Sequence, residues 1–385
     1  MTILFVILFI VLCPIIIKLI WVEWATYGHG IILKEEKEII RRAHFLVSKV
    51  ATDPEQLFNE MPSSIGSHFQ GEWALYSCSM TSVALANIAI LFPSYREMAL
   101  KNMERIIDIA LSTKIREYDR RRWHEDPIAS INGDNSHMSY LSHLAWMMGR
   151  FKQIGGNDKY DALYHSFCEA MHCRMLLSPS FNLLTYPNEC VYVPDMLVAI
   201  VALSDYSKQN DGKYKQTVDK WVEKAKTGWL DHKTGLLASF LTEYDDEVQI
   251  DQLIKGSYSA LNCYYLSLVD VDFAEEQYRL LKQNFMQCFP FIGIKEFHDR
   301  KCLYQFDIDS GPILFNLSPS GTAFAIGCAT SLEDSKFRKQ LLKTAEIAGN
   351  TITWRGKSHY LLADYALVGE AVALAMRTSF PSTRL

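Results

Sequence analysis

Two stretches of the sequence, Gly155-Gly156-Asn157-Asp158-Lys159-Tyr160 and Gln209-Asn210-Asp211-Gly212-Lys213-Tyr214, follow the same pattern. In each, a turn of Gly, Asn and Asp ends one helix-length segment and a Tyr opens the next. These residues are typical of such breaks because they tolerate turn and left-handed conformations that others avoid. Segments of helical length and periodicity cover residues 35–50, 139–154, 159–177, 191–208 and 214–229.

Pairs of helices that repeat without intervening strands predict an all-α fold. We expect the hairpins to close into a ring, an α/α barrel over residues 73–385, because no βαβ alternation interrupts them. A plain helical bundle is the alternative. A closed ring leaves a funnel at its centre, walled by inner helices and rimmed by loops at one end, so functional residues are expected on those loops.

The N-terminal run of residues 2–17 is uncharged and almost wholly apolar, and apolar residues continue beyond Lys18. This length spans a bilayer, while Lys18, Trp21 and Trp24 suit the membrane interface. The sequence therefore predicts a single transmembrane helix as an anchor over residues 1–24, followed by a juxtamembrane helix and linker over residues 25–72. A signal peptide with an atypical cleavage site is the alternative.

Charge and cysteine content bear on location and partners. Lys and Arg follow the predicted anchor and none precedes it, so the positive-inside rule favours a cytoplasmic domain, with an outward-facing domain left open. The nine cysteines agree, because an odd number without CxxC spacing is not typical of a disulfide framework. A formal net charge of −5, with the basic residues scattered along the chain, argues against a nucleic-acid partner.

His143 is a candidate general acid or base. It follows a polar loop that contains Asp126, and it shares one face of a predicted helix with Tyr140, three residues earlier. A histidine just inside such a loop suits proton transfer near neutral pH. A satisfied core histidine is the alternative.

Three further segments carry candidates. Cys190 ends an irregular loop that also holds Tyr186, and a thiol beside a helix start can have a lowered pKa; a buried small hydrophobe is the alternative. Asp307 and Asp309 alternate before a Gly-Pro turn, so one carboxyl is expected to face the funnel as a proton donor, unless both only cap the loop. The phenol of Tyr258 can donate to an oxygen or flank a cation.

From about Trp73 to the C-terminus, the sequence resembles the linalool dehydratase/isomerase family. The motifs that carry the resemblance are Asp126-Pro127-Ile128, Tyr140 three residues before His143-Leu144, Met148-Gly149 and the Gly-Asn-Asp-x-Tyr turn. The resemblance implies an α/α barrel whose active site combines a histidine, cysteines, tyrosines and an aspartate, without metal or organic cofactor. Where the family has Cys-Glu-Pro, this sequence has Leu177-Ser178-Pro179, so the second thiol of the family is missing.

The residues and the resemblance together predict a membrane-anchored, cofactor-independent lyase or isomerase that acts on a hydrophobic, terpenoid-like alcohol. An acid protonates the departing hydroxyl and a base removes a proton from the neighbouring carbon. The resemblance also implies that the chain can form a homo-oligomer. The expected catalytic residues are His143, Cys190, Tyr258 and Asp309, and the expected substrate-binding residues are Tyr140, Asp126, Asp307, Tyr76 and Tyr186.

Two other functions also fit the sequence. The first alternative is a carbohydrate-active α/α-barrel enzyme, a glycoside or uronyl hydrolase or an epimerase, with catalytic carboxylates from Asp126, Asp307 or Asp309. The second is a non-catalytic protein whose funnel holds a lipid.

Overall fold

The structure, a computed structural model, describes residues 2–244, 247–250 and 253–381, with side chains from Leu12 onward except 243–247. Within these residues the chain forms fifteen α-helices, numbered in chain order. They are α1 (Thr2–Ala25), α2 (Glu36–Val50), α3 (Pro54–Asn59), α4 (Ser67–Leu91), α5 (Arg96–Ala110), α6 (Thr113–Trp123), α7 (Met138–Gln153), α8 (Asp161–Leu177), α9 (Val193–Gln209), α10 (Lys215–Gly228), α11 (Gly256–Val269), α12 (Val271–Phe285), α13 (Pro319–Ser331), α14 (Ser335–Gly349) and α15 (Leu367–Arg377).

Six helices form a closed inner ring. Helix α4 packs against α7, and the ring continues through α9, α11, α13 and α15, which packs back against α4. Most side chains of these helices are buried, as expected for helices that are apolar on nearly every face. The outer helices α2, α5, α8, α10, α12 and α14 each bury only one face against the ring. The predicted α/α barrel is therefore confirmed.

The two ends of the barrel differ. Each inner helix from α4 to α13 connects to the outer helix that follows it through a short link, such as residues 92–95, 154–160 and 210–214. Each outer helix returns to the next inner helix through a long segment, such as residues 111–137, 229–255 and 286–318. The long segments all meet at the N-terminal ends of the inner helices, here called the mouth, and the short links form the closed end.

The mouth segments contain short antiparallel strands, which corrects the expectation of an all-α chain to a mostly helical one. The strands are β1 (Val191–Tyr192), β2 (Phe240–Tyr244), β3 (Glu247–Ile250), β4 (Met286–Gln287), β5 (Gly293–Ile294), β6 (Tyr304–Asp307), β7 (Gly311–Leu314), β8 (Thr351–Trp354) and β9 (Lys357–Tyr360). They form the sheets β1-β2-β3, β4-β5, β6-β7 and β8-β9. Long loops fold into such ladders because their backbone N–H and C=O groups then have partners.

The helix segments predicted from the sequence agree with the structure. Segments 35–50, 139–154, 159–177, 191–208 and 214–229 correspond to α2, α7, α8, α9 and α10, within two residues at each end. The two quoted turns lie at the closed end, where Gly155 and Gly212 adopt positive φ angles of 92° and 80°. This conformation favours glycine because it has no Cβ. The repeated pattern therefore marks the passage from an inner to an outer helix.

The segment predicted as a juxtamembrane helix and linker joins the barrel. Helix α2 packs against α4 and α15 as an outer helix, so the barrel begins before Trp73. Among helices with fully described side chains, only α4 is long and apolar enough to cross a membrane, and it is mostly buried in the inner ring. The predicted anchor lies in α1, whose side chains are described from Leu12, and its membrane span stays a prediction.

Gly256 is a point where two backbones touch, at the start of α11. A Cβ at this position would lie 1.8 Å from the carbonyl oxygen of Lys295, whose N–H is itself bound to Phe285 O at 2.8 Å. Gly256→Ala is expected to lower the unfolding midpoint, because a fixed backbone must shift by enough to cost about 1–3 kcal/mol or more. Thermal unfolding in detergent measures this effect.

Gly228→Ala, at the end of α10, is the matched control. No atom lies within 4 Å of a Cβ built at Gly228, so this variant is expected to match or slightly exceed the parent in stability. Equal midpoints for the two variants would contradict the close approach at Gly256.

Candidate active site at the barrel mouth

Glu72 stands in the second turn of α4, where the chain enters the inner ring at the mouth. It is the single carboxylate of α4, and its Oε2 accepts a hydrogen bond of 2.8 Å from the Tyr186 hydroxyl. Burial, and next the negative charge of Asp195, raise the pKa of Glu72 to about 7. The Glu72 carboxyl can therefore take up or release its proton near neutral pH.

Asp195 is the third residue of α9 and faces the same region. The Thr185 hydroxyl donates to its Oδ2 at 2.9 Å. Burial is the main cause that raises the pKa of Asp195 to about 6, and the negative charge of Asp309 contributes. Glu72 and Asp195 thus form a pair of carboxyls, each protonated more readily than a carboxyl in water and each sensing the charge of its neighbours.

Lys255 balances part of this negative charge. Its Nζ lies 3.0 Å from Asp307 Oδ2 and 3.1 Å from Asp309 Oδ2, at the turn between β6 and β7. Asp307 also braces that turn, because its Oδ1 accepts from the N–H groups of Asp309 and Ser310 at 3.0 Å. Burial opposes the charge of Lys255, but Asp309 and Asp307 raise its pKa above the usual value, so the amine stays cationic.

Aromatic side chains line the mouth around these charges. The ring of Tyr258 lies 5.2 Å from Lys255 Nζ and 5.2 Å from the Phe240 ring, which in turn contacts Tyr192 at 5.3 Å. Burial and the charge of Asp309 raise the pKa of Tyr258 above its usual range, so its phenol stays protonated. The mouth therefore offers a bound molecule both phenol hydroxyls and aromatic ring faces.

Glu72, Tyr76, Tyr186, Asp195, Lys255, Tyr258 and Asp309 are called the mouth cluster below. Four of these residues, Tyr76, Tyr186, Tyr258 and Asp309, were expected at the site from the sequence, and Asp307 reaches the cluster through Lys255. Arg122 adds a further cation at its edge, 4.3 Å from the Tyr186 ring and 2.9 Å from Glu189.

His143 lies deeper in the ring than the carboxyls. Its Nδ1 is 2.9 Å from Ser79 Oγ, and its ring meets Tyr76 edge-on at 5.0 Å. Tyr76 in turn contacts Tyr265 through their hydroxyls, 3.4 Å apart. Burial lowers the pKa of His143 to about 3, so the imidazole is neutral at physiological pH. His143 can exchange hydrogen bonds beneath Tyr76, but the neutral imidazole is a much weaker acid than an imidazolium.

The other expected residues occupy different surroundings. Cys190 is half-buried in the loop just before β1, at the mouth end of the barrel. Asp126 pairs with Arg116 at 2.6 Å and caps a turn through the N–H groups of Ile128 and Ala129. The Tyr140 hydroxyl is buried and donates to the carbonyl of Ala110 at 3.0 Å, which ties α7 to the outer layer.

The sequence reasoning did not select Glu72 or Asp195 as catalytic residues. The available signal was a lone carboxylate near the start of an apolar, inner-ring helix, which has few structural reasons to be there. Lys255 and Arg122 carried no comparable signal, because lone cations are common at loop and helix ends. Their role depends on contacts that the fold creates.

Two carboxyls with raised pKa values beside aromatic side chains at the mouth can perform acid–base chemistry. One carboxyl can be protonated while the other is ionised between about pH 6 and 7, which is the requirement for concerted donation and removal of protons. Within the described part of the chain, no group of three His, Cys, Asp or Glu side chains is arranged to hold a metal ion. A surface groove of about 480 Å³ beside α2 and α3 shares no residue with the mouth cluster.

The carboxyl pair predicts a pH dependence of stability. The pKa of Glu72 is about 7 in the fold and near 4.3 in an unfolded chain, so the native state holds more protons between these values. Protonation of Glu72 therefore contributes fully to the free energy of unfolding below the pKa of the unfolded chain. This contribution is lost as the pH rises through about 7, the pKa in the folded state. Glu72→Gln is expected to show a shallower fall in urea midpoint between about pH 5 and 8 than the parent.

Glu189→Gln serves as the control for this measurement. Glu189 is partly exposed at the mouth and pairs with Arg122. Replacing this exposed carboxylate is therefore expected to leave the pH dependence of the urea midpoint unchanged. Identical slopes for the parent and Glu72→Gln would contradict the raised pKa of Glu72.

Comparisons with known proteins support the fold. No protein-family model matches the sequence, and no curated protein matches it. Among solved structures, the chain is similar to the crystal structure of an unsaturated glucuronyl hydrolase specific for heparin, with a TM-score of 0.57 and 11% sequence identity. The match covers 90% of this chain and 95% of that one. The likeness supports the α/α barrel, while no sequence match supports the linalool dehydratase/isomerase family.

Proposed function

We propose that this protein is a hydrolase that cleaves a glycosidic bond by acid–base catalysis at the barrel mouth. The observation that carries the proposal is the Glu72–Asp195 pair, two carboxyls with raised pKa values in one aromatic-lined mouth. Cleavage of an acetal needs a proton for the leaving oxygen and a carboxylate to activate water or stabilise the developing cation, and carboxyl pairs supply both functions in many such enzymes.

Glu72 is the proposed general acid. Its pKa of about 7 keeps most of the carboxyl protonated at slightly acidic pH, and the Tyr186 hydroxyl orients it through the 2.8 Å hydrogen bond. Asp195, with the lower pKa of about 6, is the proposed base, held by Thr185. In this proposal the carboxyl with the higher pKa retains the proton longest and acts as the acid.

The remaining mouth residues suit a sugar. Tyr258, Phe240 and Tyr192 present adjoining ring faces, on which the apolar faces of pyranose rings can stack. Lys255 pairs with Asp309, and Arg122 pairs with Glu189. Both cations can also donate hydrogen bonds to the hydroxyl or carboxylate groups of a sugar. The structural likeness to a hydrolase of unsaturated glucuronyl units points in the same direction at the level of the fold.

The lyase or isomerase predicted from the sequence is the second candidate. The apolar N-terminal run favours it, because an anchored enzyme can meet a terpenoid-like alcohol in the bilayer. In that reaction Glu72, rather than the neutral His143, would protonate the hydroxyl, and Asp195 would remove the proton. The same carboxyl pair therefore serves either chemistry, and the substrate decides between them.

The test is an activity screen of the full-length, detergent-solubilised protein. Fluorogenic aryl glycosides and unsaturated uronides are expected to be hydrolysed, with a bell-shaped pH profile whose limbs have apparent pKa values of about 6 and 7. Terpenoid alcohols, analysed by gas chromatography, form the other half of the panel. Dehydration of an alcohol without any hydrolysis of sugars would overturn the proposal in favour of the second candidate.

A further inference from the structure

Helix α1 lies against α14, and its direction relative to the barrel follows from the contacts. Lys18 binds the side chain of Asn350, at the end of α14, and lies 3.5 Å from the carbonyl of Glu346. Farther along α1, Glu23 pairs with Lys343. As residue numbers rise along α1, they fall along α14, so the two helices are antiparallel.

This direction determines the end of the barrel from which α1 projects. Helix α14 is an outer helix that runs toward the mouth, because the segment after Asn350 leads into the start of α15. Lys18 therefore lies at the level of the mouth. The part of α1 before Lys18 extends past the mouth by about 24 Å, at 1.5 Å per residue over sixteen residues. That part holds sixteen of the 24 residues that the sequence predicts as the membrane anchor.

The rim on the same side of the molecule exposes large apolar side chains. Phe289 and Trp354 are 85% and 70% exposed, one after β4 and one at the end of β8. Others stand on or beside the β6-β7 hairpin and before α15, and they are Leu303, Tyr304, Phe306 and Tyr365. Exposed side chains of this size on several neighbouring loops are unusual for a surface that faces only water.

Basic residues accompany the apolar rim. Arg355 and Lys357 are exposed on the turn and second strand of the β8-β9 hairpin, next to Trp354. Arg300 and Lys301 are exposed just before Leu303. Aromatic and aliphatic groups beside Lys and Arg match the chemistry of the lipid interface, where rings enter the headgroup layer and cations meet phosphates.

We propose that α1 crosses the bilayer and that the rim, formed by Phe289, Leu303, Tyr304, Phe306, Trp354 and Tyr365, rests on the same membrane surface, so that the mouth opens toward the lipid. Three features agree on this orientation: the direction of α1, the level of Lys18 and the exposed rim. The docking does not depend on the reaction at the mouth cluster. It delivers to that cluster an amphiphile with its polar group near the headgroups and its chain in the bilayer.

Contacts between α14 and the segment just after α1 fix the orientation of α1 relative to the barrel. Arg338, on α14, binds the carbonyl of His29 and pairs with Glu35 at 2.6 Å, just after α1. The Lys339 amine lies 5.8 Å from the Tyr27 ring. Because the segment after α1 is tied to α14 at several points, the barrel cannot rotate freely about a flexible tether. A membrane-spanning α1 therefore brings the rim to the bilayer surface.

The experiment places a fluorescent probe at the rim and another at the closed end of the full-length chain. Cys288, next to Phe289, is exposed and is labelled with a nitrobenzoxadiazole group after Cys13, Cys173, Cys190 and Cys302 are replaced by Ser. The control carries the label at Val271→Cys, at the start of α12, with Cys288→Ser added. Both proteins are reconstituted in phosphatidylcholine–phosphatidylserine vesicles that contain lipids with a nitroxide near the top of the acyl chain.

The rim probe is expected to lose most of its fluorescence to the nitroxide, and the closed-end probe to lose little. Replacing Phe306 and Trp354 by Ser is expected to reduce quenching at Cys288, because the rim then enters the interface less deeply. Equal quenching at the two positions would overturn the proposal. So would an unquenched Cys288 that cross-links to a second copy of the chain, because the rim would then be a protein interface.

Discussion

Glu72→Gln is expected to lower kcat by about 10²–10⁴-fold on any substrate that the mouth turns over, which is the range that a general acid or base contributes. The amide preserves the size of the side chain and can still contact the Tyr186 hydroxyl, but its N–H protons are not acidic enough to protonate a leaving group. Because Gln cannot act as an acid, kcat should fall far more than KM changes. Initial rates on the best substrate of the screen measure both constants.

Glu104→Gln is the matched control, because Glu104 lies on the outer helix α5 and pairs with Lys159 at the closed end, away from the mouth. We expect it to retain most of the activity, while Asp195→Asn is expected to fall as steeply as Glu72→Gln. Unchanged helical circular dichroism in all three variants separates catalysis from folding. Full activity in Glu72→Gln would remove Glu72 from the reaction and with it the mechanism proposed for the mouth.

Arg338→Met is expected to destabilise the fold by about 3–5 kcal/mol, the loss typical when one partner of a buried ion pair is removed. Arg338 is 2% exposed and connects several elements, because it binds Glu35, the hydroxyl of Thr330 at 3.0 Å and the carbonyl of Arg377 at 3.1 Å. Its loss leaves the buried Glu35 carboxylate with Arg377 as its main remaining partner, 2.7 Å away. Thermal unfolding in detergent measures the change.

Arg279→Met provides the comparison, because Arg279 is exposed on α12 and makes one hydrogen bond, to Gln283 at 3.3 Å. This variant is expected to unfold within about 0.5 kcal/mol of the parent. A midpoint for Arg338→Met equal to that of Arg279→Met would mean that the network is not needed to hold the start of the chain to α14 and α15.

The sequence alone located six of the fifteen helices in the described residues, namely α1, α2 and α7 to α10. Glycine and asparagine turns such as Gly155 to Asp158 locate the breaks, and the repeated pattern of helix pairs indicates a ring, because local backbone preferences and helical periodicity are both written in neighbouring residues. The strands of the mouth were missed. They are short, and their pairing, such as that of Tyr304 with Leu314, depends on long loops whose course the local sequence does not specify.

The candidate site was only partly predictable. Tyr186 and Asp309 were selected because they lie on loops and Tyr258 because of its phenol, and the structure brings them together with Glu72 and Asp195. Those two carboxyls come from helices more than a hundred residues apart, and nothing near either one indicates the other. Asp126 and Tyr140 had equally suggestive positions in the sequence, yet their polar groups contact Arg116 and Ala110 instead.

By itself, then, the sequence determined the helical hairpins, the turns between them and the apolar character of the first helix, since each of these is a property of residues close together in the chain. Only the tertiary structure decided which side chains meet at the mouth, how burial and neighbouring charge shift their pKa values, and toward which end α1 projects. Those properties arise from contacts between distant segments, where desolvation and Coulomb interactions depend on distance in space rather than on separation along the chain.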